Sequence, residues 1–224
     1  MRQETCFAFL ILTALPLHAG APKDAPATLM LTPGKLLVRE DLNQPFAKDW
    51  FANKGKWEVV DGVMRASELS SDEHAAVRRK PVNFKSAIVQ FSFKLDGATM
   101  ASLSMNADKG HVCRVRFTPD GFTVIKDKDK SNNGKPAELD TCKVAIKPGE
   151  WHTFVVEMAG KEMLARLDGK HVAFGANDAL TTPKASVGFT VKGDSASFKN
   201  LRVYEGAPAQ DWEMQAKLLE ARKK

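Results

Sequence analysis

The chain has 224 residues and a formal net charge of +6, with 33 Lys and Arg residues against 27 Asp and Glu residues. Acidic and basic residues are interleaved and no nucleic-acid-binding motif is present, so we expect no nucleic-acid partner. No apolar run reaches the roughly 20 residues that a membrane-spanning helix needs. We therefore expect no membrane insertion.

The first 19 residues have the pattern of a signal peptide. Arg2 gives a short basic start, an apolar run follows over residues 7–15, and Ala19 offers a small residue at a cleavage point. This pattern predicts export to the periplasm or the medium. Residues 20–34 are rich in Ala and Pro and are predicted to form a flexible lead-in. The remaining length favours one domain over residues 35–206.

Apolar and polar residues alternate from residue 36 onward, which predicts an all-β fold of two antiparallel sheets. Turn sequences such as Asp61-Gly62 and Asp168-Gly169 recur about every eight to twelve residues and favour hairpins. The predicted strands are residues 36–42, 57–66, 75–80, 86–95, 100–106, 111–118, 121–126, 141–146, 151–159, 162–167, 171–174, 185–192 and 196–204. The inner face is predicted to hold Val89, Phe91, Phe93, Leu103, Met105, Val115, Phe117, Val144, Phe154, Val156, Phe189 and Val191.

Three successive predicted strands, residues 86–95, 100–106 and 111–118, each carry polar side chains on one face. If they belong to one antiparallel sheet, these side chains form a single hydrated surface. Amide, hydroxyl and guanidinium groups can bind sugar hydroxyls or a carboxylate. The candidate ligand-binding residues are Gln90, Ser92, Ser104, Asn106, His111, Arg114 and Arg116. The alternative is an ordinary solvated outer face.

Four segments, residues 57–64, 149–156, 167–170 and 197–203, follow one another in the order found in the 3-keto-disaccharide hydrolase domain family, which the chain resembles. The resemblance implies a concanavalin A-like or LamG-like jelly roll, similar in fold to family 16 glycoside hydrolases, and hydrolysis of glycosidic bonds. The Gly-Asn-Ser-Gly and Tyr-Glu-x-Gln segments typical of these hydrolase domains are absent. The Glu-x-Asp-x-x-Glu strand of family 16 enzymes is absent too, so no catalytic residue is carried over.

A polar segment after residue 126 has the ligand spacing of a calcium loop. Asp127, Asp129, Ser131 and Glu138 fall at positions one, three, five and twelve. Position six is Asn132 rather than Gly, and three lysines lie in the same stretch. A solvated charged hairpin loop is therefore the alternative, and no other cofactor is expected.

Two cysteines, Cys113 and Cys142, remain once the signal peptide is removed. An oxidising compartment permits a disulfide between them. If the strands between residues 111 and 146 form a meander, the two residues lie two strands apart, roughly 9 to 10 Å, which is too far. If the loop over residues 127–140 carries the chain across, the two strands are neighbours and the disulfide can form.

The chain changes character over residues 207–224. Apolar residues recur at helical spacing from Trp212, and Arg222 begins a basic end, which predicts one short C-terminal amphipathic helix. This helix could pack on the sandwich or bind a partner. The sequence thus favours an exported domain that binds or processes a saccharide. The alternative is a non-catalytic protein-interaction or surface-assembly module.

Overall fold

A computed structural model describes residues 22–42, 46, 48–128 and 134–223 of the chain. The predicted signal peptide, residues 1–19, lies outside the described residues. In chain order the strands are β1 (Leu31–Glu40), β2 (Phe51–Lys54), β3 (Lys56–Val60), β4 (Val63–Ser67), β5 (Ala76–Phe84), β6 (Ala87–Leu95), β7 (Ala98–Ala107), β8 (Gly110–Thr118), β9 (Gly121–Lys126), β10 (Ala137–Lys143), β11 (His152–Ala159), β12 (Glu162–Leu167), β13 (His171–Ala176), β14 (Lys184–Gly193) and β15 (Ala196–Pro208). One α-helix, α1 (Trp212–Ala221), follows.

The strands form two antiparallel sheets. The first sheet has the order β13-β12-β11-β6-β15-β4-β3, and β1 also pairs with β15. The second sheet has the order β10-β9-β8-β7-β14-β5-β2. The predicted two-sheet jelly-roll sandwich with one C-terminal helix is therefore confirmed.

Alternation explains the core between the sheets. In β6, Val89, Phe91 and Phe93 are fully buried while Gln90 and Ser92 are only partly buried, because successive side chains point to opposite faces of a strand. Eleven of the twelve predicted core residues are buried. Val144 is only partly buried, and β10 ends at Lys143, before the predicted strand does.

The predicted flexible lead-in is ordered where the structure describes it. Strand β1 begins at Leu31, and Met30 and Leu31 are fully buried. The carboxylate of Glu157 on β11 accepts backbone N–H bonds from Leu29, Met30 and Leu31 at 2.7–2.9 Å. The Ala- and Pro-rich composition of this segment does not predict its ordered backbone, because Glu157, the residue that holds it, lies more than 120 residues later in the chain.

The helix α1 packs on its own domain. The Trp212 indole is buried, donates a hydrogen bond to Glu162 at 2.8 Å and meets the Phe174 ring at 5.3 Å. Among the described residues, no helix has the length and apolar character needed to cross a membrane.

The disulfide between Cys113 and Cys142 is not formed, and Cys113 is a buried free thiol. Strands β8, β9 and β10 form a meander, so the two cysteines lie on strands separated by β9. They also differ in height along the sheet, since Cys113 is opposite Lys126 and Cys142 is opposite Phe122. The meander is the topology that forbids the bond.

Candidate functional site

The predicted ligand surface is divided between the two sheets. Gln90 and Ser92 lie on β6, which pairs with β11 and β15 in the first sheet. Ser104 and Arg114 lie on β7 and β8 in the second sheet. The prediction of one surface is wrong because the turn between β6 and β7 carries the chain from one sheet to the other.

The second sheet gathers the remaining candidates on its outer face. Residues directly opposite each other in an antiparallel pair project to the same face. The register aligns Phe51, Arg79, Gly188, Ser104 and Arg114 in one row across five strands. We call this surface the arginine face, and its residues are Phe51, Arg79, Ser102, Ser104, Asn106, His111, Arg114 and Arg116.

Three consecutive cations on β5 have different surroundings. The Arg78 guanidinium lies 3.6 Å from the centroid of the Phe46 ring, and the Lys80 ammonium pairs with Glu40 and Asp49. Arg79, opposite Phe51, projects from the arginine face. Because its side chain lies on the same face as Ser104 and Arg114, we include Arg79 in the candidate site.

Gly188 leaves the space that the Arg79 side chain occupies. A Cβ at this position would lie 2.8 Å from Cγ of Arg79 and 2.9 Å from the carbonyl oxygen of Arg78. The aliphatic part of Arg79 therefore lies across the sheet above Gly188, towards Ser104.

Two other arginines of this face are held by carboxylates. Arg114 donates to both oxygens of Asp127, with Nε at 2.8 and 3.0 Å. Arg116 pairs with Glu138 at 2.5 Å. These ion pairs fix the two guanidinium groups over the sheet.

The same contacts bear on the calcium prediction. Asp127 and Glu138 bind arginines, while Asp129 and Ser131 lie outside the described residues. Among the described residues, no three His, Cys, Asp or Glu side chains form a group suited to a metal ion. Calcium binding by this loop stays a prediction.

Small polar groups line the floor of the arginine face. Asn106 donates to Ser104 and Ser186 at 3.4 Å, and His111 Nδ1 lies 2.6 Å from Asn106 Oδ1. The Ser102 hydroxyl is buried and has no hydrogen-bond partner among the described residues. One polar group of this floor therefore has no partner among the described residues.

Arg79 is one of three described arginines, with Arg78 and Arg166, whose pKa is lowered by burial and whose Nε has no acceptor among the described residues. Burial lowers the pKa of Arg79, and the positive charge of Arg114 lowers it further. The Nε of Arg79 is buried and meets no acceptor in the described part of the chain. Both effects show a guanidinium whose charge is less well compensated than those of Arg114 and Arg116.

The aromatic member of this face is Phe51. Its side chain is 40% exposed, although large apolar side chains of this sandwich are mostly buried. Trp151, 38% exposed, is the comparable aromatic on the first sheet, but Lys199 covers its ring at 4.0 Å. Phe51 therefore has exposed surface beside Arg79 that a sugar ring could contact.

Sequence reasoning missed Phe51 and Arg79. Strand β2 has only four residues, and the irregular register between β2 and β5 disrupts any alternating pattern. The run of cations at residues 78–80 was visible, but a run alone does not say which member projects outward. The signal that could have found Arg79 is the strict alternation within β5.

Several solved structures with the same fold carry names of carbohydrate-binding or carbohydrate-cleaving proteins. The carbohydrate-binding module CBM66 from Bacillus subtilis has a TM-score of 0.59 at 14% identity, covering 70% of this chain and 96% of its own. The laminarinase from Rhodothermus marinus has a TM-score of 0.60 at 11% identity, covering 77% of this chain and 98% of its own. A family GH16 endo-β-1,3(4)-glucanase has a TM-score of 0.58 at 15% identity, covering 80% and 96%.

The fold thus defines a jelly-roll protein of the kind used by carbohydrate-binding modules and glycoside hydrolases. The family model for the 3-keto-alpha-glucoside-1,2-lyase-like domain matches residues 40–204. The chain therefore belongs to this domain family. No curated protein sequence matches the chain.

Proposed function

We propose that the chain binds a saccharide on the arginine face without cleaving it, and that it does so outside the cytoplasm. The observation that carries this proposal is the row that places exposed Phe51 beside Arg79, Ser104 and Arg114. An aromatic ring packs against the apolar C–H face of a sugar, while fixed polar groups orient its hydroxyls.

Binding is favoured over cleavage by the condition of the carboxylates. Glycosidases need two carboxyl groups on either side of the scissile bond. Asp127 and Glu138 are instead bound to Arg114 and Arg116. A carboxylate whose oxygens are already bonded to a guanidinium is poorly placed to contact the glycosidic oxygen of a substrate.

A glycan array followed by calorimetry tests the binding. We expect Phe51→Ala to weaken the affinity for a bound oligosaccharide by tenfold or more. The matched control is Trp151→Ala, which removes the exposed aromatic of the first sheet and should leave the affinity unchanged. The reverse result would place the site on the first sheet. Measurable hydrolysis of a 3-keto-glucoside would contradict the non-catalytic part.

Export rests on the predicted signal peptide at residues 1–19. We expect a fusion of these residues to alkaline phosphatase to give enzyme activity in a bacterium, because that enzyme needs an oxidising compartment for its disulfides. The processed protein should begin at Gly20, as read by N-terminal sequencing. An inactive, unprocessed fusion would contradict export.

A further inference from the structure

Arg79 is the arginine of this face whose positive charge has no carboxylate partner in the described part of the chain. Arg65, Arg78 and Arg166 also have no carboxylate within salt-bridge distance among the described residues, but they do not lie on the arginine face. The five other described arginines each pair with a carboxylate. These pairs are Arg39 with Asp41, Arg114 with Asp127, Arg116 with Glu138, Arg202 with Asp41, and Arg222 with Asp140. Arg79 has no such contact with a described acidic side chain.

The surroundings of Arg79 make this arrangement unfavourable without a ligand. Its Nε is buried and has no acceptor among the residues that the structure describes, and buried donors are normally paired. Among its described neighbours, Arg114 adds a second positive charge, which lowers the pKa of Arg79 in addition to the effect of burial. Among the described residues, the three guanidinium groups of this face meet two carboxylates, Asp127 and Glu138, which leaves Arg79 as the excess positive charge.

We propose that the saccharide bound on the arginine face carries an anionic group, a uronic acid carboxylate or a sulfate ester, and that Arg79 binds that group. This inference rests on the proposed function. A guanidinium presents a planar fork of N–H donors that matches two oxygens of a carboxylate or sulfate. A neutral hydroxyl would satisfy a donor but would leave the excess charge in place.

Position along the row supports the assignment. Phe51 lies opposite Arg79 on β2, so a sugar ring in contact with Phe51 would bring its substituent within reach of the guanidinium. The missing side chain of Gly188 lets the Arg79 side chain lie flat across the sheet towards Ser104. The buried hydroxyl of Ser102 lies on the same floor and has no described partner.

The test compares each charged sugar with its neutral counterpart. Calorimetry on the full chain uses oligomers of galacturonate, glucuronate and mannuronate and the same oligomers with their carboxyl groups reduced. A second arm uses sulfated galactan oligomers before and after desulfation, which distinguishes the two anions. We expect at least one charged member to bind tenfold to hundredfold more tightly than its neutral counterpart, the size typical of charged hydrogen bonds. Added salt should reduce the preference.

The variant Arg79→Gln should abolish the preference for the charged sugar, while Arg79→Lys should restore part of it because the charge returns without the fork. The control is Arg65→Gln, which removes the same charge from an exposed residue of β4 on the first sheet. We expect this control to behave as the unaltered chain. Circular dichroism tests whether each variant is folded. If Arg79→Gln is unfolded, Arg79→Lys is used in its place to test the role of the guanidinium.

Each alternative result overturns a specific claim. Equal binding of charged and neutral oligomers would overturn the anionic group and leave the proposed function intact. An equal loss in Arg79→Gln and Arg65→Gln would overturn the assignment to Arg79, since only overall charge would matter. Binding of no saccharide in either arm, on the array or in solution would overturn the proposed function itself.

Discussion

At the scale of single residues, the fold separates positions that look alike in the sequence. Cys113 and Arg114 are neighbours on β8, yet one is sealed in the core and the other projects from the arginine face. Alternation causes this, because each step along a strand reverses the direction of the side chain. A core side chain such as Cys113 is therefore shielded from solvent and reagents. An outer side chain such as Arg114 can contact a ligand.

Cys113 provides the first prediction. Its side chain is fully buried, and burial raises the pKa of its thiol to about 12. Because the thiolate is the reactive species, the peptide containing Cys113 should stay unmodified by iodoacetamide at pH 8 in the folded protein. The same peptide should be modified completely after denaturation. Rapid labelling of Cys113 in the folded state would contradict the buried position.

The second prediction concerns Glu157. Burial raises the pKa of its carboxyl above the ordinary value of 4.5, and this outweighs the backbone N–H bonds from Leu29, Met30 and Leu31 and the charge of Arg166, which act in the opposite direction. The folded state therefore holds this proton more tightly than the unfolded state. The stability that the proton contributes is fully present below pH 4.5 and is lost as the pH rises through the raised pKa.

The variant Glu157→Gln should remove this dependence. Urea denaturation from pH 4.5 to 7.5 should show the free energy of unfolding of the unaltered chain falling relative to that of Glu157→Gln. Glu150→Gln, at an exposed carboxylate, is the control and should follow the unaltered chain. Parallel curves for the unaltered chain and Glu157→Gln would contradict the raised pKa.

At the scale of elements, local pattern predicted strands well and pairing poorly. The alternation of Val89, Phe91 and Phe93 located β6 and its buried face, because that information is contained in consecutive residues. The partners of β6 are β11 and β15, which lie about 60 and 110 residues later in the chain. Which strands pair over such distances depends on the arrangement of the whole sandwich. The sequence pattern therefore does not show that the predicted ligand-binding residues are divided between two sheets.

The C-terminal helix carries the third prediction. Trp212 holds α1 against β12 and β13 through Glu162 and Phe174. The variant Trp212→Ala should weaken this docking by roughly 2 kcal/mol, since it removes a buried aromatic side chain at the domain edge. Trypsin should then cleave after Lys217 several times faster than in the unaltered chain.

Met214→Ala is the matched control for this helix. The Met214 side chain is 59% exposed, so its removal should change docking by less than about 0.5 kcal/mol. Equal rates of tryptic cleavage in the two variants would mean that Trp212 does not anchor the helix.

At the scale of the whole molecule, the two sheets are joined by their edges as well as their faces. Strand β13 of the first sheet lies beside β10 of the second, and Asp140 accepts a hydrogen bond from the backbone N–H of Phe174 at 2.8 Å. Arg222, just after α1, also donates to Asp140 at 2.9 Å. A Cβ on Gly175 would lie 2.3 Å from Cβ of Leu139, so the close approach of these edges requires glycine. The helix, both sheets and the edge contact therefore depend on one another.

Phe91 is one of the residues through which the two inner faces meet. Its ring centroid lies 5.7 Å from that of Phe154 in the first sheet, and 6.2 and 5.1 Å from those of Phe117 and Phe189 in the second. A residue that contacts both sheets contributes to their association as well as to the packing of its own strand. Its loss should therefore destabilise the domain as one unit.

The last prediction is that Phe91→Ala lowers the free energy of unfolding by about 3–5 kcal/mol, because it removes a large apolar side chain and leaves a cavity between the sheets. Phe91→Leu keeps most of the volume and should cost about 1–1.5 kcal/mol. Guanidinium denaturation, followed by circular dichroism and tryptophan fluorescence, should give one transition with an unchanged slope in each variant. Two separate transitions in Phe91→Leu would contradict a single cooperative core and would mean that each sheet is stable without the other.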